Sequence, residues 1–235
     1  KGGGMISVEH IPTVCPYCGC GCGMDLVVKN GKLSGVEGLK NHPVSRGKNC
    51  LKGRSAYFYA YSDERLESPM IKKDGAFVPC SWDEALDRIA RELSKADRDG
   101  AGFINSGKCL NEDLFVFQKF ARIIGKTNNL DNASRFCHST SVPALASTVG
   151  SGAMPISTPS IENAGCILLM GTNIQETYPL LAEKLILARR KGSRVICVDM
   201  RKTPTVKNLS DMYLQIQPGT DAALINAMSA VILSE

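Results

Sequence analysis

Hydrophobic and polar positions change their pattern along the chain, and each change marks a different kind of element. Residues Asp25–Lys29 and Lys32–Val36 are two short β-type runs joined by Asn30-Gly31, the dipeptide that supplies the positive φ angles of a type I′ turn, so a hairpin is predicted there. Residues 42–53 contain Pro and Gly without periodicity and read as a loop. A second short hairpin is predicted at Met70–Val78, turning on Asp74-Gly75. Ser81-Trp-Asp-Glu84 then has the form of a capping box, and it opens a helix with Ala85, Leu86, Ile89, Ala90 and Leu93 on one face. Ala101–Asn105 reads as a buried strand. Asn111 is the expected cap of a helix carrying Leu114, Phe117, Phe120, Ala121 and Ile124, which Gly125 stops. Helical spacing accounts for those Phe residues as a core stripe.

Further on the periodicity becomes continuous. Cys166–Met170 is an unbroken apolar run, as expected of a strand covered on both faces. A helix from about Pro179 to Lys191 follows, ended by Gly192, and Arg194–Val198 is another apolar run. Strand, helix and strand of this kind form a βαβ unit and hence a parallel sheet. A third strand around Met212–Ile216 leads through Pro218-Gly219-Thr220 into a helix bearing Leu224, Ile225, Ala227, Met228 and Ile232. The fold class is therefore α/β: a small cysteine-rich module with β-hairpins, of about 60 residues, followed by a parallel-sheet domain. The division falls at 1–62 and 63–235.

Composition narrows the function. Hydrophobic residues make up 43% of the chain and charged residues 22%, the mark of a globular protein. A net charge of +5 is mild, and Arg189-Arg190-Lys191 is the one basic run, so nucleic acid is not an expected partner. No stretch of 18 apolar residues suggests a membrane span, and the start shows no apolar leader core. Lys1-Gly2-Gly3-Gly4 before Met5 reads as an expression scar or as the tail of an upstream segment. Ten cysteines in such a chain point to a reducing, cytoplasmic setting where thiols serve metals or cores.

Most of the chemistry is concentrated in Cys15-Pro-Tyr-Cys18-Gly-Cys20-Gly-Cys22 and, after 27 residues, Asn49-Cys50-Leu51-Lys52-Gly53. Thiolates at short spacing hold soft metals. Cys15, Cys18, Cys22 and Cys50 give C-x2-C-x3-C-x27-C, which suits a [4Fe–4S] cluster. Zinc, which favours two returning pairs, and a disulfide knot are the alternatives. Cys20 reads as a spare thiol. Glycines at 19, 21 and 23 allow the loop to fold tightly round an inorganic core.

Two further groups stand out. The loops leaving the three parallel strands, Gly171-Thr172-Asn173, Asp199-Met200-Arg201 and Pro218-Gly219-Thr220-Asp221, fall where parallel sheets bind ligands. Carboxylates there can accept from a guanine base, and Arg can meet phosphate. A plain α/β core with polar loop tips is the bland alternative, and without G-x-G-x-x-G an ordinary NAD site is disfavoured. Cys137-His138, ahead of a Ser/Ala/Gly-rich stretch, reads as a buried Cys beside a satisfied His, a nucleophile pair, or a metal thiolate with a neighbouring acid–base group.

Taken together these residues resemble the molybdopterin (molybdenum or tungsten) oxidoreductases, and within them the formate dehydrogenase catalytic subunits, over nearly the whole chain from about Ile11. The resemblance implies a [4Fe–4S] cluster on Cys15, Cys18, Cys22 and Cys50, and Lys52 between cluster and pterin. It implies Cys137 as the Mo or W ligand with His138 beside it. Gly171-Thr-Asn173-Ile-Gln-Glu176-Thr-Tyr178-Pro179 is similar to the family's cofactor loop, with Tyr178 in place of the usual His. Asp199, Arg201, Gly219 and Asp221 match its contacts to a molybdopterin guanine dinucleotide, of which two are expected. The implied partners are formate or CO2 and iron–sulfur or flavin electron-transfer subunits. The family runs several hundred residues further, including a second pterin domain and a substrate-binding arginine. The chain is accordingly expected to be a fragment, a split subunit completed by a complementary chain, or a portion of something longer. A nitrate reductase and a non-catalytic iron–sulfur relay are the rival readings.

Overall fold

A computed structural model describes residues 7–97 and 99–235, so the Lys1–Gly4 stretch lies outside the described residues. The chain forms two compact units, one of the segment up to Tyr61 together with Ile156–Glu235, the other of Ser62–Pro155.

The first unit opens with an antiparallel sheet of β1 (Val8–Val14), β2 (Gly23–Lys29) and β3 (Lys32–Gly38), in that order. Asn30 and Gly31 have φ of 49° and 76°, the left-handed pair the predicted turn requires. Strand β1 has no counterpart in the sequence reading. It lies at the sheet edge, contains Pro12, and leaves Val8, Ile11 and Val14 exposed, so it carries little buried pattern to read. The expected loop of 42–53 ends differently: a helical turn, α1 (Leu51–Arg54), starts directly after Cys50, with Arg54 N–H donating to the Cys50 carbonyl at 3.0 Å.

In the second unit, β4 (Met70–Lys73) and β5 (Ala76–Pro79) form the predicted hairpin, with Asp74 and Gly75 at φ 50° and 84°. In α2 (Trp82–Lys95), Ser81 Oγ accepts from Glu84 N–H at 3.1 Å, but the Glu84 carboxylate accepts from Lys73 at 3.2 Å, so half of the capping box is made. Strand β6 (Phe103–Asn105) pairs in parallel with β7 (Leu130–Asn132), and α3 (Asn111–Ile123) lies between them in sequence. Leu110, not Asn111, is the cap residue of α3, because Asp113 reaches back to the Leu110 N–H at 3.2 Å. Phe117 and Phe120 meet Phe103 edge-on, at 5.9 and 6.0 Å between centroids. Strand β6 buries only one face, for Ile104 is 79% exposed. The apolar face of α2 also stands open at Leu86 and Ile89. Two short helices, α4 (Ser134–His138) and α5 (Ser141–Val149), complete the unit.

The first unit resumes with α6 (Thr158–Ile161), β8 (Cys166–Met170), α7 (Ile174–Thr177), α8 (Pro179–Arg190), β9 (Arg194–Asp199), α9 (Pro204–Leu209), β10 (Met212–Gln215) and α10 (Asp221–Ser234). Strands β10-β9-β8 form the predicted parallel sheet. Ile174, Ala182, Leu185, Val195, Cys197, Val206 and Leu209 make one core between α7, α8, α9 and the sheet. Strand β8 is not covered on both faces as expected: Leu168 points away from that core and is 43% exposed. No helix among the described residues is long and apolar enough to cross a membrane.

Candidate cofactor sites

In the first unit the cysteine loop closes on itself, with Cys15 N–H donating to the Cys22 carbonyl at 2.8 Å. Gly21 takes φ 56°, and a Cβ on Gly23 would come within 2.5 Å of the His42 ring, so both positions need glycine. Gly19 is less constrained, since its Cβ would make ordinary contact with the Tyr178 ring at 3.7 Å. Ser45 Oγ accepts from Gly23 N–H, and Asn49 Nδ2 donates to the Gly23 carbonyl, which fastens residues 42–49 onto the start of β2. Cys50 is thereby brought back to the loop.

Cys15, Cys18, Cys20, Cys22 and Cys50 line one small cavity with Lys52. Burial pushes the Cys22 thiol up to about 11, and negative charge on Cys15, Cys18 and Cys50 pushes in the same direction. Cys20 is pushed up to about 12 by burial, then by Cys18 and Cys22. Thiolates so close repel one another unless a cationic centre lies among them. Among the described residues, no three His, Cys, Asp or Glu side chains converge closely enough to hold a single metal ion. The five cysteines share the lining of one cavity, the arrangement that a polynuclear core requires.

Lys52 also lines a neighbouring groove of about 490 Å³, together with Tyr17, Cys18, Gly171, Asn173 and Tyr178. Lys52 Nζ donates to the Glu176 carbonyl at 3.0 Å. Asn173 is held at both ends, accepting from Thr205 Oγ at 2.9 Å and donating to the Glu176 carboxylate. The fold thus brings Cys15, Cys18, Cys22, Cys50, Lys52, Gly171, Asn173 and Glu176 to one end of the unit. Asp199, Arg201, Gly219 and Asp221 do not line this groove: Asp199 is the last residue of β9, Arg201 and Gly219 sit on the loops after β9 and β10, and Asp221 opens α10. Asp199 is buried and its carboxylate accepts from Arg201 N–H at 2.9 Å, which shapes its own loop.

In the second unit, Cys137 and His138 line a cavity of about 740 Å³ with Ser106, Lys108 and Arg135. Asn132 Oδ1 accepts from both N–H and Oγ of Ser134, fixing the start of α4, and Arg135 pairs with Asp131. Cys137 is exposed, so the buried-Cys reading is corrected. Successive helical residues do not face each other. Cys137 and His138 therefore border one cavity without forming a nucleophile–base contact.

Residues 65–235 match the molybdopterin oxidoreductase model, and residues 8–62 match the Fe4S4 domain of molybdopterin oxidoreductases. The chain belongs to this family. It is 46% identical over 230 residues to the F420-dependent formate dehydrogenase 1 subunit alpha of Methanococcus maripaludis, covering 98% of this chain and 34% of that one. It is 48% identical to the corresponding alpha subunit of Methanocaldococcus jannaschii, covering 96% and 33%, and 36% identical to formate dehydrogenase H of Escherichia coli, covering 97% and 33%. The chain thus spans about a third of the length of these relatives. Acetylene hydratase from Pelobacter acetylenicus shares its fold, with a TM-score of 0.70 and 25% identity over 95% of this chain and 32% of that one. The name of that neighbour shows that the family fold does not dictate one reaction.

The residues present fit the family's cofactors. Five thiols round one cavity provide the sulfur donors of a 4Fe–4S cluster, and the adjoining groove provides lysine, carboxamide and aromatic groups for a molybdopterin. Sequence reasoning passed over two contributors. Ser106-Gly107-Lys108 leaves the carboxyl end of β6, the same strand-end rule that marked the later loops, but β6 is only three residues long. Thr205 gave no signal, because its role depends on contacts 30 and 32 residues away.

Proposed function

We propose that this chain is the N-terminal, cofactor-binding portion of a formate dehydrogenase or CO2 reductase catalytic subunit. The observation that carries this reading is the cavity bordered by Cys137 and His138, with Lys108 and the Asp131–Arg135 ion pair also on its lining, in a chain with a formate dehydrogenase relative at 48% identity. Formate is a small anion and suits such a cavity. In this reading Cys15, Cys18, Cys22 and Cys50 hold the [4Fe–4S] cluster. Gly171, Asn173, Glu176, Asp199, Arg201, Gly219 and Asp221 shape the binding site of a molybdopterin guanine dinucleotide, one of two. Held there, such dinucleotides would carry molybdenum or tungsten and would supply the two-electron redox chemistry that formate oxidation needs. Cys137 supplies a thiolate to that metal, Lys52 keeps positive charge between cluster and pterin, and His138 accepts and passes on a proton, since imidazole changes charge near neutral pH.

The ten free cysteines support a reducing, cytoplasmic setting. Partners in this reading are a polypeptide supplying the remaining two thirds of the relatives' length and iron–sulfur or flavin subunits that carry electrons onward. The division at 62/63 marks the junction of two sequence modules, in keeping with the family matches at 8–62 and 65–235.

The test is metal, pterin and activity analysis of the native assembly, with formate as donor and a viologen or F420 as acceptor. Iron together with molybdenum or tungsten, guanine-bearing pterin and formate-dependent reduction is the expected result. Iron without pterin makes the chain a relay, and a full cofactor set that turns over nitrate but not formate moves it to another branch of the family.

A further inference from the structure

We propose that Thr205 is a positioning residue that fixes Lys52 through α7, and so sets the environment in which the cluster is reduced. This rests on the cluster assignment above and not on the identity of the substrate. Thr205 is fully buried, with 0% of its surface exposed, although it has a hydroxyl to satisfy. That hydroxyl accepts from Gln175 N–H at 3.0 Å and donates to Asn173 Oδ1 at 2.9 Å, so one side chain holds both the residue that precedes α7 and its second residue. Asn173 in turn donates to the Glu176 carboxylate, and its own carbonyl accepts from the N–H groups of Glu176 and Thr177 at 3.1 and 3.0 Å. The Glu176 carbonyl at the far end of the turn receives Lys52 Nζ.

Four residues make too short a helix to hold its own geometry, because nucleating a turn costs more than its hydrogen bonds return. The conformation of α7 is therefore imposed from outside, and Thr205 is the buried polar group that imposes it at its start. Lys52 borders both the cysteine cavity and the adjoining groove. A shift of the Glu176 carbonyl consequently moves the ammonium group that faces both. Thr205 itself has no exposure, so removing its hydroxyl takes from Gln175 N–H and Asn173 Oδ1 the buried partner each has there.

Thr205→Val keeps the shape and deletes the hydroxyl; Thr205→Ser keeps the hydroxyl. In the holo-protein, Thr205→Val is expected to retain its iron and to exchange the amides of Gln175 to Thr177 faster. The cluster midpoint potential in a dithionite titration is expected to fall, because the positive charge is no longer held beside it. Thr205→Ser should restore both readouts. In a Lys52→Ala background, Thr205→Val should cause no further change in potential. If Thr205→Val fails to hold iron, Thr205→Cys, with a weaker donor of similar shape, takes its place. The proposal is overturned if the potential is that of the parent while only the melting temperature falls, or if the shift persists without Lys52. The titration uses neither formate nor pterin, so a protein inactive with formate but showing these shifts would refute the substrate reading alone.

Discussion

The choice of four ligands from five thiols follows the C-x2-C-x3-C-x27-C spacing of Cys15, Cys18, Cys22 and Cys50, which leaves Cys20 over although it lines the same cavity. Cys22→Ala is therefore expected to lose iron and Cys20→Ala to retain it, as measured by iron content and the visible absorption of the cluster. The reverse outcome would reassign the motif. At the other site, Cys137→Ala should abolish formate turnover in the complete assembly. His138→Ala should slow it roughly 10²–10⁴-fold, the usual worth of a proton-transferring group, and flatten the pH–rate profile. Parent-rate turnover by Cys137→Ala would remove Cys137 from the metal.

Among the elements, the start of β9 shows how a single carboxylate organises a sheet edge. Asp211 accepts from Val195 N–H at 2.7 Å and from Arg189 at 2.9 Å, joining the end of α8 to the segment that enters β10. The Val195 amide and then the Arg189 guanidinium hold its carboxyl below the ordinary value of 3.8. A carboxylate with a depressed folded-state pKa contributes stability that is present above its unfolded value and is lost as pH falls through the folded one. Asp211→Asn is thus expected to be less stable than the parent at pH 7. It should lose this difference as pH falls below about 3.8, where the parent's own carboxylate takes up its proton. Urea denaturation at pH 7 and pH 3 checks both halves, and equal denaturation midpoints for the two proteins at pH 7 would contradict the account. Arg189 belongs to the one basic run of the sequence, and this contact gives it a structural role.

Across the molecule, the cysteine cavity and the parallel sheet belong to one unit although about 95 residues of the other lie between them in sequence. Pro179 and Leu180 at the start of α8 line the cavity. Binding a cluster should accordingly stabilise both segments of that unit, since metal affinity for a folded site adds to folding stability. Removing iron is expected to raise amide exchange in residues 7–61 and in the first turn of α8, with little change in β4 and β5. Uniform exchange changes along the chain would contradict this. Apolar side chains stand open on α2, at Leu86 and Ile89, and on α10, where Leu233 is 87% exposed.

Local chemistry is written in adjacent residues, which is why much of this protein is legible before it folds. Asn30-Gly31 and Asp74-Gly75 dictate their turns by backbone sterics, and the βαβ alternation dictates a parallel sheet. The spacing of Cys15, Cys18 and Cys22 suits a compact soft-metal site. Other features need partners distant in the chain. Strand β1 exists because β2 offers it an edge, and α3 begins after Leu110, whose N–H is accepted by the Asp113 carboxylate. Lys52 finds the Glu176 carbonyl across 124 positions, and Thr205 finds Asn173 across 32. Such bonds depend on where two elements are brought together by the burial of Ile174, Val195 and Val206, and no local propensity encodes that meeting.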